Sequence, residues 1–391
     1  MVLDSLYGKS QPSFVPRILT YDDFAGIDID KAAIKKAVCG SIIYKKRFDD
    51  GILFPKQTCA FDEIDLNEEL PIHDYTGKCP SQTYEINPVL GCNVGCAYCL
   101  VNDGIHEKQA IVLSNYHELL EKKLAEHRHD EHYFYFSPKT EAFCEATLQT
   151  GVAHNILRIF VEHFLMFPDS KARLFIASKA GAEALRYVHG GDSIIELFSL
   201  LKGKMQFNTS LSIFPGDSAN YLEPYSGSLQ SRLDAVDLCL ENGIMASSAL
   251  VQPILISALT DEILEEFFAL LSRHGIVNFK PEFLTVCPEN LSLIAQILET
   301  HDPGIFKKTF ELYFAAENLN HRKQRERTAP SRAESLLWIS KMKKQAERFG
   351  ISASVCNWVR EQLKISESDI PLVNKNGFRC LGYQTRLFEV V

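Results

Sequence analysis

Nowhere in the chain do 18 apolar residues follow one another, so a membrane-spanning helix is not expected. The opening MVLDSLYGKSQPSF has neither the basic n-region nor the apolar h-region of a secretory signal. Asp4 also sits badly in an organelle transit peptide, and the cytoplasm is the expected location. Positive charge is in deficit: 41 lysines and arginines against 50 aspartates and glutamates leave a formal charge of -9. Such a surface repels duplex nucleic acid unless a local basic groove overrides it. The two basic clusters, YKKRF at 44–48 and NHRKQRERTAPSR at 320–332, read as solvated faces or loops. The cysteines number 11, an odd count scattered along the chain, which does not suit a disulfide framework and points to metal or redox use.

What is present suits a large core. With 391 residues, 46% of them hydrophobic, the chain has enough for one big domain with additions, or for two. Residues 1–80 form an irregular N-terminal extension, with a short helix expected at 28–40 and a strand at 41–48. A rhythm then begins. Apolar runs rich in β-branched and aromatic residues, at 83–90, 132–137, 172–178, 205–214, 244–255 and 277–286, alternate with amphipathic helical stretches. Among the latter are NYHELLEKKLAEH, TGVAHNILRIFVEHF, LQSRLDAVDLCLEN and DEILEEFFALLSRHG. Six repeats in roughly 200 residues fall short of the ~250 of an eight-unit barrel. The expected fold is therefore α/β, a partial (β/α)6 TIM barrel over residues 81–300 with N-terminal and C-terminal additions. In the C-terminal region, 301–391, RAESLLWISKMKKQAERFG reads as one amphipathic helix stopped by Gly350, and GFRCLGYQTRLFEVV as a returning strand. These segments are expected to cap the barrel's open end or its mouth.

Within NPVLGCNVGCAYCLVND, at 87–103, three cysteines stand close together: Cys92, Cys96 and Cys99. A structural zinc site wants four ligands, usually from paired units, and a thioredoxin-type redox pair needs two. A four-iron, four-sulfur cluster held by three thiolates leaves one iron open to an outside ligand, which is a place for chemistry. The triplet follows an expected strand, at the carboxyl end where barrel enzymes build their active sites. Gly91 and Gly95 allow the backbone to wrap a bulky group. A non-catalytic regulator that binds iron–sulfur or zinc stays open as the alternative.

CNVGCAYC resembles the CxxxCxxC signature of the radical S-adenosylmethionine (SAM) enzymes. The resemblance implies that Cys92, Cys96 and Cys99 bind a [4Fe-4S] cluster whose open iron holds the amino and carboxylate groups of S-adenosyl-L-methionine. It also implies that cleavage of SAM gives a 5′-deoxyadenosyl radical that removes a substrate hydrogen, and that Tyr98 lies near the adenine. Further stretches, YFSPKTEAFCEA at 135–146, FIASKAG at 175–181 and the long run 210–244, resemble the spore photoproduct lyase-like branch. On that resemblance, which covers roughly 83–260, Ser137, Lys179 and Ser210 or Ser212 contact SAM, and Arg232 and Glu223 serve the same region. The chemistry is sensible, because a lysine pairs with a carboxylate and serines bond ribose hydroxyls. The ordinary alternatives are strand-end caps and a surface lysine. Cys144 matches a cysteine that in the lyase returns a hydrogen atom to the product; the alternative is a buried structural thiol.

Two departures weigh against repair of a DNA lesion. Leu100 stands where the lyase carries a tyrosine associated with radical return, and the acidic charge does not favour DNA. A small polar substrate (a sugar, nucleoside or aminoglycoside-like molecule) is expected instead, in a lyase, dehydratase or epimerase reaction. Peptide modification would call for several closely spaced C-terminal cysteines, and only Cys356 and Cys380 occur there. Either is an alternative hydrogen donor if the tail covers the mouth; packing is the plainer role. Glu141 and Glu145 are candidates to hold hydroxyls or to act as acid or base. The implied partners are a small-molecule substrate and an external one-electron donor of flavodoxin or ferredoxin type, with no nucleic acid and no membrane.

Overall fold

The structure is a computed structural model and describes residues 19–26, 35, 38, 61–64, 83–92, 94–99, 110–113, 115–216, 218–286, 288–314 and 329–385. Seven parallel strands make the main sheet: β1 Thr83–Ile86, β2 Tyr133–Phe136, β3 Arg173–Ser178, β4 Met205–Ile213, β5 Met245–Ile254, β6 Asn278–Phe283 and β7 Ser352–Ala353. Each pairs with its neighbours in chain order, and the order never reverses. The principal helices are α1 Tyr116–Glu126, α2 Val152–Met166, α3 Ile194–Leu200, α4 Leu229–Glu241, α5 Asp261–Arg273, α6 Pro288–His301, α7 Pro303–Phe314 and α8 Arg332–Glu347. The fold is α/β with a parallel sheet, and among the described residues no helix is long and apolar enough to cross a membrane.

Side-chain alternation divides the sheet into two unlike faces. Phe134, Phe136, Leu174, Ile176, Phe207, Leu211, Ala249, Val251 and Phe279 join the helices in the larger apolar core. Amphipathic spacing on the helices answers them. In α5, Leu264, Phe267, Phe268 and Leu271 are buried at i, i+3, i+4 and i+7, and Thr260 caps the helix by accepting from the Ile263 amide. The other face carries Tyr133, Tyr135 and Phe175 beside a ladder of polar side chains, among them Gln206, Asn208, Ser210, Ser212 and Asn278, all buried. Every residue of β4 is buried on one face or the other. Buried amides and hydroxyls need hydrogen-bond partners, and at the amino-terminal end of the sheet the 374–385 segment supplies them.

That segment is a plug rather than a strand. The Tyr383 ring stacks on Tyr133 with centroids 4.2 Å apart and meets Phe175 edge-on at 4.4 Å. Gln206 donates to the Gly382 carbonyl at 2.6 Å and accepts from the Gln384 amide at 2.9 Å. Asn374 donates to Asn278 at 2.8 Å, and Tyr133 donates to the Gln384 carbonyl at 2.9 Å. Gly382 has φ +74°, and a β-carbon there would lie 2.5 Å from Ser248 Oγ, so neither the turn nor the space admits a side chain.

Three expectations change. The sheet has a seventh strand, because Ser352 and Ala353 pair with Asn278 and Phe279 beyond the sixth. Of the expected strand at 377–391, the described residues 377–385 make an isolated bridge, Phe378 with Gln384, and a short 3-10 turn at Cys380–Gly382, while 386–391 lie outside the described residues. The 374–385 segment also fills the amino-terminal pole, opposite the mouth, since its polar partners inside the sheet can only be met there. At the mouth, α6 and α7 build a second apolar core with Phe214, Leu255, Leu284 and Ala97. From residues 1–80, Phe61–Ile64 pairs in parallel with Ala110–Leu113, which also pairs with Val89–Leu90. The helix expected at 28–40 (apart from 35 and 38), the strand at 41–48, the first basic cluster, 320–328 of the second, and Leu100 lie outside the described residues.

Tyr383→Ala should lower stability by about 3–5 kcal/mol, the usual loss for deleting a buried ring. Leu372→Ala, at a side chain 42% exposed, should stay within about 0.5 kcal/mol. Urea midpoints with unchanged slopes check both, and equal effects at the two positions would mean that the ring is not seated as described.

Candidate active site

At the carboxyl ends of the strands lies a cavity of about 260 Å³, near the lower end for small-molecule sites. Cys92, Cys96 and Cys99 line it, with Tyr98, Ser137, Lys179 and Ser210. The cysteine loop is held in place by backbone bonds, from the Ala97 amide to Leu222 at 3.0 Å and from the Tyr225 amide to Val94 at 3.3 Å. Gly95 has φ +70°, and a β-carbon there would come within 3.3 Å of the Tyr225 ring. Burial pushes the Cys92 thiol well up and raises Cys96 to about 11, the latter against the pull of the Lys179 cation. Left alone these thiols stay protonated, so binding a metal group must displace protons and supply the missing positive charge.

The three sulfurs do not form a group with all donors within 4.8 Å of one another. One tetrahedral zinc with Zn–S bonds of ~2.3 Å would hold its sulfurs about 3.8 Å apart. An iron–sulfur cube carries each thiolate on a different iron and spreads them further. The donor set therefore fits the larger group better than a single ion.

Behind the cavity sits a charged knot. Glu223, just after the short helix Ser218–Leu222, is 6% exposed; it pairs with Arg232 of α4 through one oxygen and with Lys179 at 2.5 Å through the other. Ser212 and the Tyr98 hydroxyl also donate to Glu223. Burial alone would raise this carboxyl, but Arg232 and Lys179 overcome it and hold it well below the ordinary range. Arg232, 1% exposed, also donates to the Ser210 carbonyl at 2.9 Å and the Gly227 carbonyl at 2.6 Å. Lys179 Nζ thus rests against Tyr98, at the site's edge, with its charge already placed.

Three hydroxyls on the cavity's lining residues are buried and lack a hydrogen-bond partner: Ser137, Thr140 and Ser210. Ser137 also has φ 54°, an uncommon conformation for a residue with a β-carbon, at the end of β2. Orphaned hydroxyls beside a lysine match a ligand bearing hydroxyls and a carboxylate. The remaining expected residues fall elsewhere. Ser212 and Arg232 belong to the knot behind the wall. Glu141 lines the cavity, yet it is engaged by the Ser178 hydroxyl and the Lys179 and Phe143 amides, which makes it a brace for the end of β3. Glu145 accepts from Gln149 at 2.7 Å, outside the lining. Cys144 is buried beside Cys92, with Thr147 Oγ1 3.8 Å from its sulfur, and burial raises its thiol to about 11. Cys380 is buried with the plug at the opposite pole, and neither it nor Cys356 lines the cavity.

Among the lining residues that sequence pattern did not single out are Lys139, Thr140, Gln252 and Glu282. Lys139 pairs with buried Glu85 at 2.7 Å, and Lys280 donates to Gln252 at 3.0 Å and pairs with Glu282. A signal exists for two of them, since Gln252 and Glu282, with Lys280 beside them, are polar residues within otherwise apolar strands.

No family model matches the chain. Over 187 residues it is 26% identical to an uncharacterized protein of Methanocaldococcus jannaschii, a match covering 46% of this chain and 62% of that protein. Among solved structures it is similar to the radical S-adenosylmethionine methyltransferase TsrM of Kitasatospora setae, bound to tryptophan substrate and a SAM analog. The identity is 15% and the TM-score 0.43, over 68% of this chain and 51% of that one. The chain thus spans less than two thirds of either relative.

Removing one member of the buried knot leaves an uncompensated charge, so Arg232→Met should cost about 3–5 kcal/mol. Glu223→Gln should remove part of the acid sensitivity. The wild-type carboxylate stabilises fully above its unfolded value, about 4.3, and loses that contribution as pH falls toward its depressed folded value. Thermal melts between pH 3 and 7 check this, and identical acid slopes in wild type and variant would contradict the knot.

Proposed function

We propose that the protein is a radical SAM enzyme acting on a small polar molecule. Cys92, Cys96 and Cys99 would hold a [4Fe-4S] cluster, which with bound SAM and one electron from an external flavodoxin- or ferredoxin-type donor supplies a hydrogen-abstracting 5′-deoxyadenosyl radical. The observation that carries this reading is the meeting of three half-buried thiols, a lysine held in an ion pair and three unpaired hydroxyls around one cavity. Lys179, steadied by Glu223, suits pairing with the SAM carboxylate, while Ser137 and Ser210 suit its hydroxyl and amine groups. Tyr98 holds the lysine from the cluster side. Arg232 and Ser212 act through Glu223 as positioning residues.

The finer fold belongs to the same proposal. A strand order without reversal, with the right-handed crossovers usual for parallel strands, would put the helices on one side and curl the polar face inward, as in a partial (β/α)6 barrel with one further short strand. Such a chamber orients its substrate and keeps out water and oxygen. Lys139, Gln252 and Glu282 offer both charges and an amide to a polar substrate, which favours sugar- or nucleoside-like molecules and a lyase, dehydratase or epimerase outcome. The formal charge of -9 supports a small substrate over DNA. Cys144, buried and close to Cys92 though outside the residues that line the cavity, is the proposed hydrogen donor; a weak S–H bond suits that role. Cytoplasmic location is part of this reading.

Anoxic cluster assembly should give a brown protein with about four irons per chain that forms 5′-deoxyadenosine on reduction. Cys92→Ser should lose both. Lys179→Ala should keep its iron and bind SAM about 10–100-fold more weakly, the scale of a lost charge-assisted hydrogen bond. A colourless, zinc-loaded wild type without SAM cleavage would favour a metal-binding regulator.

A further inference from the structure

A second set of ligating side chains lies at the other pole. His127 caps the carboxyl end of α1, His132 directly precedes β2, and Asp130 sits in the turn between them. Among the described residues these three form the one group of His, Cys, Asp or Glu whose donor atoms all lie within 4.8 Å of one another. We propose that His127, Asp130 and His132 form a binding site for a divalent cation of the zinc class, independent of the cysteine cavity.

The spacing carries the assignment. His127 Nδ1 is 3.2 Å and His132 Nε2 is 3.5 Å from the same oxygen, Oδ2 of Asp130. Ligands at ~2.0–2.1 Å from a tetrahedral zinc stand about 3.3–3.4 Å apart, so both separations are tetrahedral edges. The turn is braced from within, by the Asp130 amide on the His127 carbonyl at 3.1 Å and the His132 amide on the Asp130 carbonyl at 2.9 Å. The imidazoles are braced from outside by Tyr84, whose ring lies 4.9 Å from His127 and 4.8 Å from His132. Ordering the ligands beforehand lowers the entropic cost of binding. His132 is 5% exposed and buried deep, while the Asp130 side chain is 53% exposed, leaving a solvent side where water completes the shell. His129 turns elsewhere, accepting from Arg128 at 3.0 Å. A bound cation would bolt the end of α1 to the start of β2, beside the Tyr133 that seats the plug. The simpler arrangement, a carboxylate accepting from two imidazole N–H groups, uses the same distances and binds no metal, so titration of the metal separates the two.

The full chain carrying Cys92→Ser, Cys96→Ser and Cys99→Ser removes the competing thiolates, and zinc(II) alone is titrated into it against a chromophoric chelator. One equivalent of tight binding is expected. His127→Gln with His132→Gln in that background should weaken it at least ~100-fold, Asp130→Asn at least ~10-fold, and His129→Gln should leave it unchanged, on the affinity scale of metal-ligand losses. Cobalt(II) in the same protein should give the strong visible bands of a four-coordinate site without thiolate charge transfer. No tight zinc in the parent, an equal affinity in the double-histidine variant, or an equal loss in His129→Gln would overturn the assignment. The Asp130 side chain is exposed, so Asp130→Asn is expected to fold and to test the site even where the histidine pair disturbs folding: zinc affinity unchanged in that variant overturns the assignment too.

Discussion

One carboxylate, held out of water between two cations, organises the upper half of the molecule. Glu223 can stay ionised in the interior only because Arg232 and Lys179 are there, and each of the three comes from a different element. The end of the short helix Ser218–Leu222, the start of α4 and the end of β3 are therefore fixed to one another by electrostatics as well as by packing. Tyr98 and Ser212 complete the knot from the cysteine loop and from β4 itself. A buried ion pair of this kind adds little net stability over an apolar substitute, and its use lies in specifying one arrangement. Here the arrangement specified is the position of a lysine ammonium at the rim of a cavity.

The sheet follows a related division. Its helix side is apolar and its other side polar, and a polar interior is tolerable only where every amide and hydroxyl is met. At the amino-terminal pole neighbouring strands and the 374–385 segment meet Gln206, Asn208 and Asn278. At the carboxyl pole Ser137, Thr140 and Ser210 are left unmet, and that is where the thiols stand. The three unmet hydroxyls that line the cysteine cavity mark a place fit for a ligand.

Much of this was legible beforehand. The six long strands follow from β-branched and aromatic runs, and helices such as α5 from their 3.6-residue spacing and Thr260 cap. The cysteine triplet announced itself by spacing alone. β7 escaped because two residues carry no periodicity, and the tail escaped because Asn374, Gly382 and Tyr383 have meaning only against side chains far away in sequence. Glu223 was expected near the site, but its role as the hub of a knot depends on three-dimensional convergence. Lys139 and Thr140, on the loop after β2, carried no pattern that a strand or helix period reveals.

The distance along the chain between the plug and its sockets has a consequence for synthesis. Thr83 and Tyr383 are 300 residues apart and Tyr133 and Gln384 are 251 apart, yet each pair is bonded in the interior. On the ribosome, the first five strands are all made well before the plug that touches β1, β2 and β4. Until then the inner face of a nearly finished sheet keeps Gln206, Asn208 and Asn278 without the bonds that the plug adds, and contacts this distant form slowly. The nascent protein therefore passes through a stage that is folded outside and unfilled within, when a chaperone or a neighbouring chain can reach the surface that the plug later covers.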